Sequence, residues 1–324
     1  MPNGVPEAAP PPFDPSRPFP AQRYRLRFRL GVLYRPRAFI GPALRGAFGH
    51  TLREALCLTG APTCDGCLAL ARCRWPRVFE TSVLASLPDR HQGEAGWAIA
   101  PLLPVGRRMQ PGEVFDVELA LFGQSRADLT LLARRLIAAV SRLPEPALAG
   151  AAFEGLFLGD ALLSPDPRTI PAGHGQEFPP PPPAPHSSRY LLEWLSPLRM
   201  TRDGADLPIA AWRPQDLVHS LCRRIRQVLA EHCGQEREVR LPWPDLSPLG
   251  KLRLDVSAMR ETIVPAGRNA DGRPRRLRAH LGVLGLEGPT ELLAALWPLL
   301  WIGQHLQIGK NPRAGFGRYR LVAA

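Results

Sequence analysis

Hydrophobic and polar positions follow two alternating periods along this chain. From Arg23 to Leu30 the period is two, with Arg23, Arg25, Arg27 and Arg29 on one face and Tyr24, Leu26, Phe28 and Leu30 on the other. That pattern predicts a strand over Tyr24–Val32. A helical period follows over Pro42–Leu56, then a strand over Gly112–Phe122, a helix over Ser125–Leu143 and a strand over Phe153–Gly159. Shorter strands are expected near Val78–Leu84 and Trp97–Leu103. Further along, Tyr190–Met200, Asp216–Cys233, Arg253–Val264, Leu277–Leu286, Thr290–His305 and Gly317–Val322 read as strand, helix, strand, strand, helix, strand. This is the order of a ferredoxin-like split β-α-β unit, and the first half fits it with an insertion after its first helix. The expected fold class is α+β: tandem ferredoxin-like domains, each a β-α-β-β-α-β antiparallel sheet with helices on one face.

Nine prolines lie between Leu163 and His186, five of them consecutive from Pro179 to Pro183, which predicts an extended spacer between domains. The expected division is a disordered proline-rich segment over 1–20, a first domain over 21–162 with a cysteine insertion at 57–73, a linker over 163–187 and a second domain over 188–324. A length of 324 residues suits two domains, each with its own core. Residues 1–20 lack the continuous apolar stretch of a secretory signal, and no apolar run reaches membrane-spanning length.

The net charge of +12 points to a polyanionic partner. Of the 41 basic residues only Lys251 and Lys310 are lysines, a skew that suits phosphate and base contacts and that arginine-rich coding would equally produce. Four guanidinium groups on one strand face repel unless an anion or an acidic partner lies there. The expectation is an RNA-facing sheet or a groove between the domains, with a solvated charged face as the alternative.

Four of the six cysteines fall between Cys57 and Cys73, which reads as a metal site in a reducing cytoplasm. Cys57, Cys64, Cys67 and Cys73 are close enough for four thiolates to close a structural zinc site. An iron–sulfur cluster takes the same ligands, and the lack of other redox signals favours zinc. At the far end, Gly309, Gly315 and Gly317 permit positive φ and close backbone approach, while Lys310, Arg313 and Arg318 add charge, a combination able to hold an RNA backbone phosphate. On the first helix Leu44, Phe48, Thr51, Leu52 and Ala55 share a face, leaving Gly46, Gly49, His50 and Arg53 on the other.

The segment Ile308–Arg318 resembles the glycine-rich C-terminal loop of the repeat-associated RNA-binding (RAMP) superfamily and, within it, the endoribonucleases that process CRISPR precursor RNA. Two further stretches agree: Leu192–Met200 with Gly204 and the helix around His219–Glu231, and Leu44–Arg53 followed by the cysteines and Phe79-Glu80, as in a zinc-type branch of the family. The resemblance implies a cytoplasmic enzyme that binds CRISPR repeat RNA and needs no catalytic metal, working alone or within an effector complex. In it the ribose 2′-hydroxyl attacks the adjacent phosphate and leaves a 2′,3′-cyclic phosphate and a 5′-hydroxyl. His50 is then the candidate general acid or base, Tyr34 the residue orienting the attacking hydroxyl, and Arg45 or Arg53 the group that stabilises the transition-state charge. Two rival readings are a non-catalytic RAMP subunit that holds guide RNA and a zinc-containing DNA-binding regulator, the latter lacking a recognisable recognition helix.

Overall fold

The computed structural model describes residue 14 and residues 17–81, 83, 95–173, 177–233, 247–268 and 271–323. Most of the expected 1–20 segment, part of the strand expected over Val78–Leu84 and part of the linker lie outside them.

The first sheet contains β1 (Ala21–Arg29), β2 (Trp97–Leu102), β3 (Val114–Phe122), β4 (Ala152–Leu158) and β5 (Ala161–Ser164), in the order β2-β3-β1-β4-β5. The helices α1 (Gly41–Leu56) and α3 (Leu129–Val140) cover one face, joined by the short α2 (Arg74–Val78) and α4 (Pro146–Ala149). The second sheet runs β10-β11-β6-β12, from β6 (Arg189–Trp194), β10 (Met259–Arg268), β11 (Pro274–Glu287) and β12 (Tyr319–Ala323), with β9 (Arg253–Asp255) also on β11 and a separate ribbon of β7 (Thr201–Arg202) and β8 (Ala205–Asp206). Its helices are α5 (Pro214–His232) and α6 (Thr290–Leu306). Both sheets place the first strand beside the last and the third, the ferredoxin-like order, so the tandem arrangement holds; β5 is an addition at one edge.

The burial of β1 alternates as its sequence predicts: Tyr24, Leu26 and Phe28 are buried against Leu44, Phe48, Leu132 and Leu136 of the two helices. Three departures have physical causes. Val78 belongs to α2, whose helical turn stacks Trp75 on Phe79 with ring centroids 4.7 Å apart, so the expected strand there is absent among the described residues. The expected strand Arg253–Val264 is two strands, because Gly282 with φ 136° brings its backbone against Ala258 and leaves no room for a side chain. The segment expected to be an extended spacer is held to the domains at several of its described residues. Ser164 ends β5, Phe178 pairs with Phe19 and is buried, the Trp297 indole donates to Pro182 O at 2.8 Å, and the Tyr190 hydroxyl donates to Pro185 O at 3.0 Å.

The two domains share a packed boundary. Phe19, Ala21, Ala98, Ala120 and Phe122 of the first join the core of the second. A smaller cluster joins Phe39 of the β1–α1 connection to Val264, Leu277 and Ala279 of the β10–β11 hairpin and to Ala314 and Phe316 of the glycine-rich loop.

Candidate nucleic-acid interface

The arginine face of β1 meets carboxylates of its own sheet. Arg25 and Arg27 stand opposite Glu118 and Asp116 in the β1–β3 register. Arg27 donates to both Asp116 oxygens at 2.9 Å, Arg25 lies 3.6 Å from Asp116 and 3.4 Å from Asp160, and Arg29 pairs with Glu154. Arg25 and Arg27 also sit over the Phe157 ring. Arg23 is buried at the domain boundary, where it donates to the carbonyls of Gln304 and His305 and lies 3.4 Å from Glu118. The repulsion expected among the four is therefore relieved by acidic partners on β3 and β4. Arg23 is taken up in this junction, its side chain 8% exposed.

Arg318 belongs to the same junction: its Nε donates to Glu118 at 2.6 Å and a second nitrogen at 3.2 Å. Burial pushes the Glu118 carboxyl up, but Arg23 and Arg318 pull it down further, and the net shift is downward. Burial, then Arg318, lowers Arg23 to about 9, with Glu118 opposing. His305, stacked on Phe178, is held well below its ordinary value by burial and then by the two guanidiniums.

The glycine-rich loop has the expected backbone, with φ of 86° at Gly309, 87° at Gly315 and 76° at Gly317. The reason differs from expectation. A side chain at Gly317 would stand 1.7 Å from Ile308 O, and one at Gly315 would meet Phe39 and Pro101 at 2.9 and 3.0 Å. The amides of Gly309, Lys310, Gly315 and Gly317 donate to Ser220 Oγ, Arg199 O, Pro312 O and Pro197 O. Gln307, buried, ties the loop to the first domain by donating to Ile99 O at 3.0 Å and to Pro312 O and Phe316 O. These glycines serve loop closure and domain docking, and their amides are already engaged by protein acceptors. Lys310 reaches Gly204 O at 3.3 Å, and Arg313 donates to Phe79 O at 3.2 Å.

The expected catalytic residues occupy separate places. His50 is exposed on α1 beside Gly46, where nothing lies within 4 Å of a Cβ, and one turn before Glu54, which pairs with Arg142 at 2.7 Å. The second expected open glycine, Gly49, is closed by the Phe79 ring. Arg45 lies over that ring at 4.7 Å, and its pKa is lowered by burial and then by the charge of Arg313. Arg53 donates to Ala61 O and braces the cysteine insertion. Tyr34 lines a cleft with Ala43 at the start of α1, seven residues and roughly 10 Å of helix rise from His50. Burial, then Glu145, pushes its hydroxyl up to about 12.

Cys57, Cys64 and Cys67 are half-buried and Cys73 buried, all as free thiols. Thr59 Oγ1 lies 3.5 Å from Cys67 Sγ, and Cys73 donates to Leu56 O at 3.6 Å. Among the described residues no three histidine, cysteine or acidic side chains are grouped to hold a metal ion, so the geometry gives the expected zinc site no support.

A basic surface that the sequence reading passed over lies on the β10–β11 hairpin. Arg260, Arg268, Arg273, Arg275, Arg276 and Arg278 are all exposed there, against Glu261 and Asp271. Val264, Leu277 and Ala279 bind the hairpin to Phe39 and Phe316, which leaves Ile263, Pro265, Arg276 and Arg278 on the outer face. The signal was present as six arginines within nineteen residues, and was read only for strand period.

Residues 192–319 match the family model described as CRISPR-associated endoribonuclease Cas6. Residues 19–151 match a second family model, described as an N-terminal domain. Among solved structures, one Cas6 product complex shows 15% identity over 94% of this chain and 99% of its own, with a TM-score of 0.48. Another Cas6 product complex shows 19% identity over 93% and 99%, with a TM-score of 0.47. Thermus thermophilus Cas6 shows 13% identity over 93% and 98%, with a TM-score of 0.46. No curated protein matches the chain. No helix among the described residues is long and apolar enough to cross a membrane.

Proposed function

We propose that this chain binds CRISPR repeat RNA and cuts the precursor into unit-length guides, without a catalytic metal. The match of residues 192–319 to the Cas6 endoribonuclease family carries this reading. The exposed arginines of the β10–β11 hairpin would hold the RNA backbone, since phosphate contacts by arginine supply most of the sequence-independent affinity for nucleic acid. Arg45 and Arg313, both held at Phe79, are offered as a second contact for the RNA backbone.

In the reaction proposed, the 2′-hydroxyl loses its proton as its oxygen bonds to phosphorus, and the bond to the 5′-oxygen breaks as that oxygen gains a proton. The products are a 2′,3′-cyclic phosphate and a 5′-hydroxyl. His50 is the proposed proton carrier, because an imidazole can both give and take a proton and this ring is open to solvent on a face of α1 that Gly46 leaves clear. Arg53 is assigned to positioning, given its bond to Ala61.

The test is a labelled repeat RNA incubated with purified protein in EDTA, with the product ends analysed. One cut leaving a cyclic phosphate supports the proposal. Tight binding without cutting would favour a guide-holding RAMP subunit, and preference for duplex DNA would favour a DNA-binding regulator.

A further inference from the structure

Where the β1–α1 connection faces the turn between α3 and α4 there is a cleft of about 460 Å3, lined among others by Tyr34, Arg35, Arg37, Phe39, Glu145 and Pro265. Its size is that of a small-ligand site. An adjoining hollow of about 590 Å3 shares Tyr34, Arg35 and Arg37, so a groove continues past the aromatic ring. Val32 and Leu33 stand at 54% and 45% exposure in the same connection, so its tip is apolar as well as basic.

Three chemistries meet here. Tyr34 offers a half-buried aromatic face that none of the described aromatic rings stacks upon. Arg35 holds Gly106 O with its Nε at 2.9 Å, while Arg37 is exposed and makes no ion pair among the described residues. Glu145 lines the cleft, and its Oε2 is covered and has no hydrogen-bond partner, so it meets a ligand there once the side chain turns outward. A carboxylate oxygen placed without a donor is costly, and a ligand that brings one gains by it.

We propose that this cleft receives one unstacked guanine of single-stranded RNA, with the base against Tyr34, its Watson–Crick edge on Glu145 and its flanking phosphates on Arg35 and Arg37. Single-stranded RNA is typically held through stacking on aromatic rings with cations along the backbone. Guanine is singled out by the carboxylate. It presents two adjacent donors, N1–H and the 2-amino group, to two acceptor oxygens. Adenine and cytosine present one amino group beside an acceptor nitrogen, and uracil one N–H between two carbonyls, all of which set acceptor against acceptor. Pro265 brings the basic hairpin to the rim of the cleft, so an RNA held by the hairpin arginines has a path for its unpaired flank.

This inference rests on the RNA-processing reading for its ligand class, and the experiment separates the two. Labelled oligoadenosine heptamers carrying a central guanosine, inosine or adenosine are titrated against the full chain and its Glu145→Gln, Tyr34→Leu and Tyr34→Phe variants, with thermal melts confirming that each is folded. The expected result is a preference for guanosine over adenosine of about tenfold, an intermediate affinity for inosine, loss of the preference in Glu145→Gln, and weakening of all three by about tenfold in Tyr34→Leu but not Tyr34→Phe. Equal binding of the three heptamers, or a preference that survives Glu145→Gln, overturns the proposal. Repeat cleavage is followed on the same preparations. Cutting without base preference removes the guanine site alone, and base preference without cutting removes the nuclease reading alone.

Discussion

Two arginine-rich β segments of this protein have opposite fates. On β1 the guanidiniums of Arg25, Arg27 and Arg29 meet Asp116, Asp160 and Glu154, and Arg23 is buried with Glu118 between the domains. On the β10–β11 hairpin, Arg260, Arg275 and Arg276 make no ion pair among the described residues, Arg278 and Arg273 share the two local acids at 3.3 and 3.5 Å, and all five are exposed. Strand position accounts for the contrast. β1 is central in its sheet, so each of its side chains faces neighbours on both sides that can carry compensating charge. β10 is an edge strand, and β11 pairs with it alone over Pro274–Arg278, beyond its pairing with β6 at Val283–Glu287, so the hairpin arginines have one neighbouring strand and reach solvent. Clustered arginine in a sequence stays open to an anion only where it outnumbers the acids within reach, as on this hairpin with its two.

The contrast breaks first at Glu118. Glu118→Ala leaves Arg23 and Arg318 buried without their carboxylate, and breaking such a group costs about 3–5 kcal/mol. Chemical denaturation should show a loss of that size, and a variant within about 1 kcal/mol of the parent would mean the junction is not holding the domains. Next comes the hairpin. Replacing Arg268, Arg273, Arg275 and Arg276 together by Ala should weaken repeat RNA roughly a hundredfold and reduce the salt slope of binding by about 3, with little effect on stability. An unchanged slope would place the RNA elsewhere. The smallest effect is expected at Arg27 and Asp116, where a double-mutant cycle should return a coupling of about 0.5–1 kcal/mol in stability and RNA affinity within about twofold of the parent. A large loss of RNA affinity in Arg27→Ala would restore β1 as a binding face.

The same contrast shows what the sequence made legible. Side-chain period decides which face of a strand is apolar, so β1, α1, β2 and α6 are found within a few residues of their expected limits. Period says nothing about what covers the other face, and the acids that answer Arg25 and Arg27 lie about 90 residues away on β3. The glycines at 309, 315 and 317 signalled positive φ correctly. The close approach is to Ile308 of the same loop at Gly317 and to Phe39 and Pro101 of the first domain at Gly315, and the second is a long-range packing fact that only the docked domains reveal. Of the expected catalytic set, His50 emerges on an open helix face as its helical position required, while Tyr34, Arg45 and Arg53 are each drawn to a different neighbour.

On the proposed reading, RNA held by the hairpin arginines is cut with His50 as proton carrier. Single-turnover cleavage of a labelled repeat RNA in EDTA, at saturating protein, compares the parent with His50→Ala while binding is titrated in parallel. The expected rate is lower by about two to four orders of magnitude with affinity within about twofold; cleavage at the parental rate would remove His50 from the chemistry.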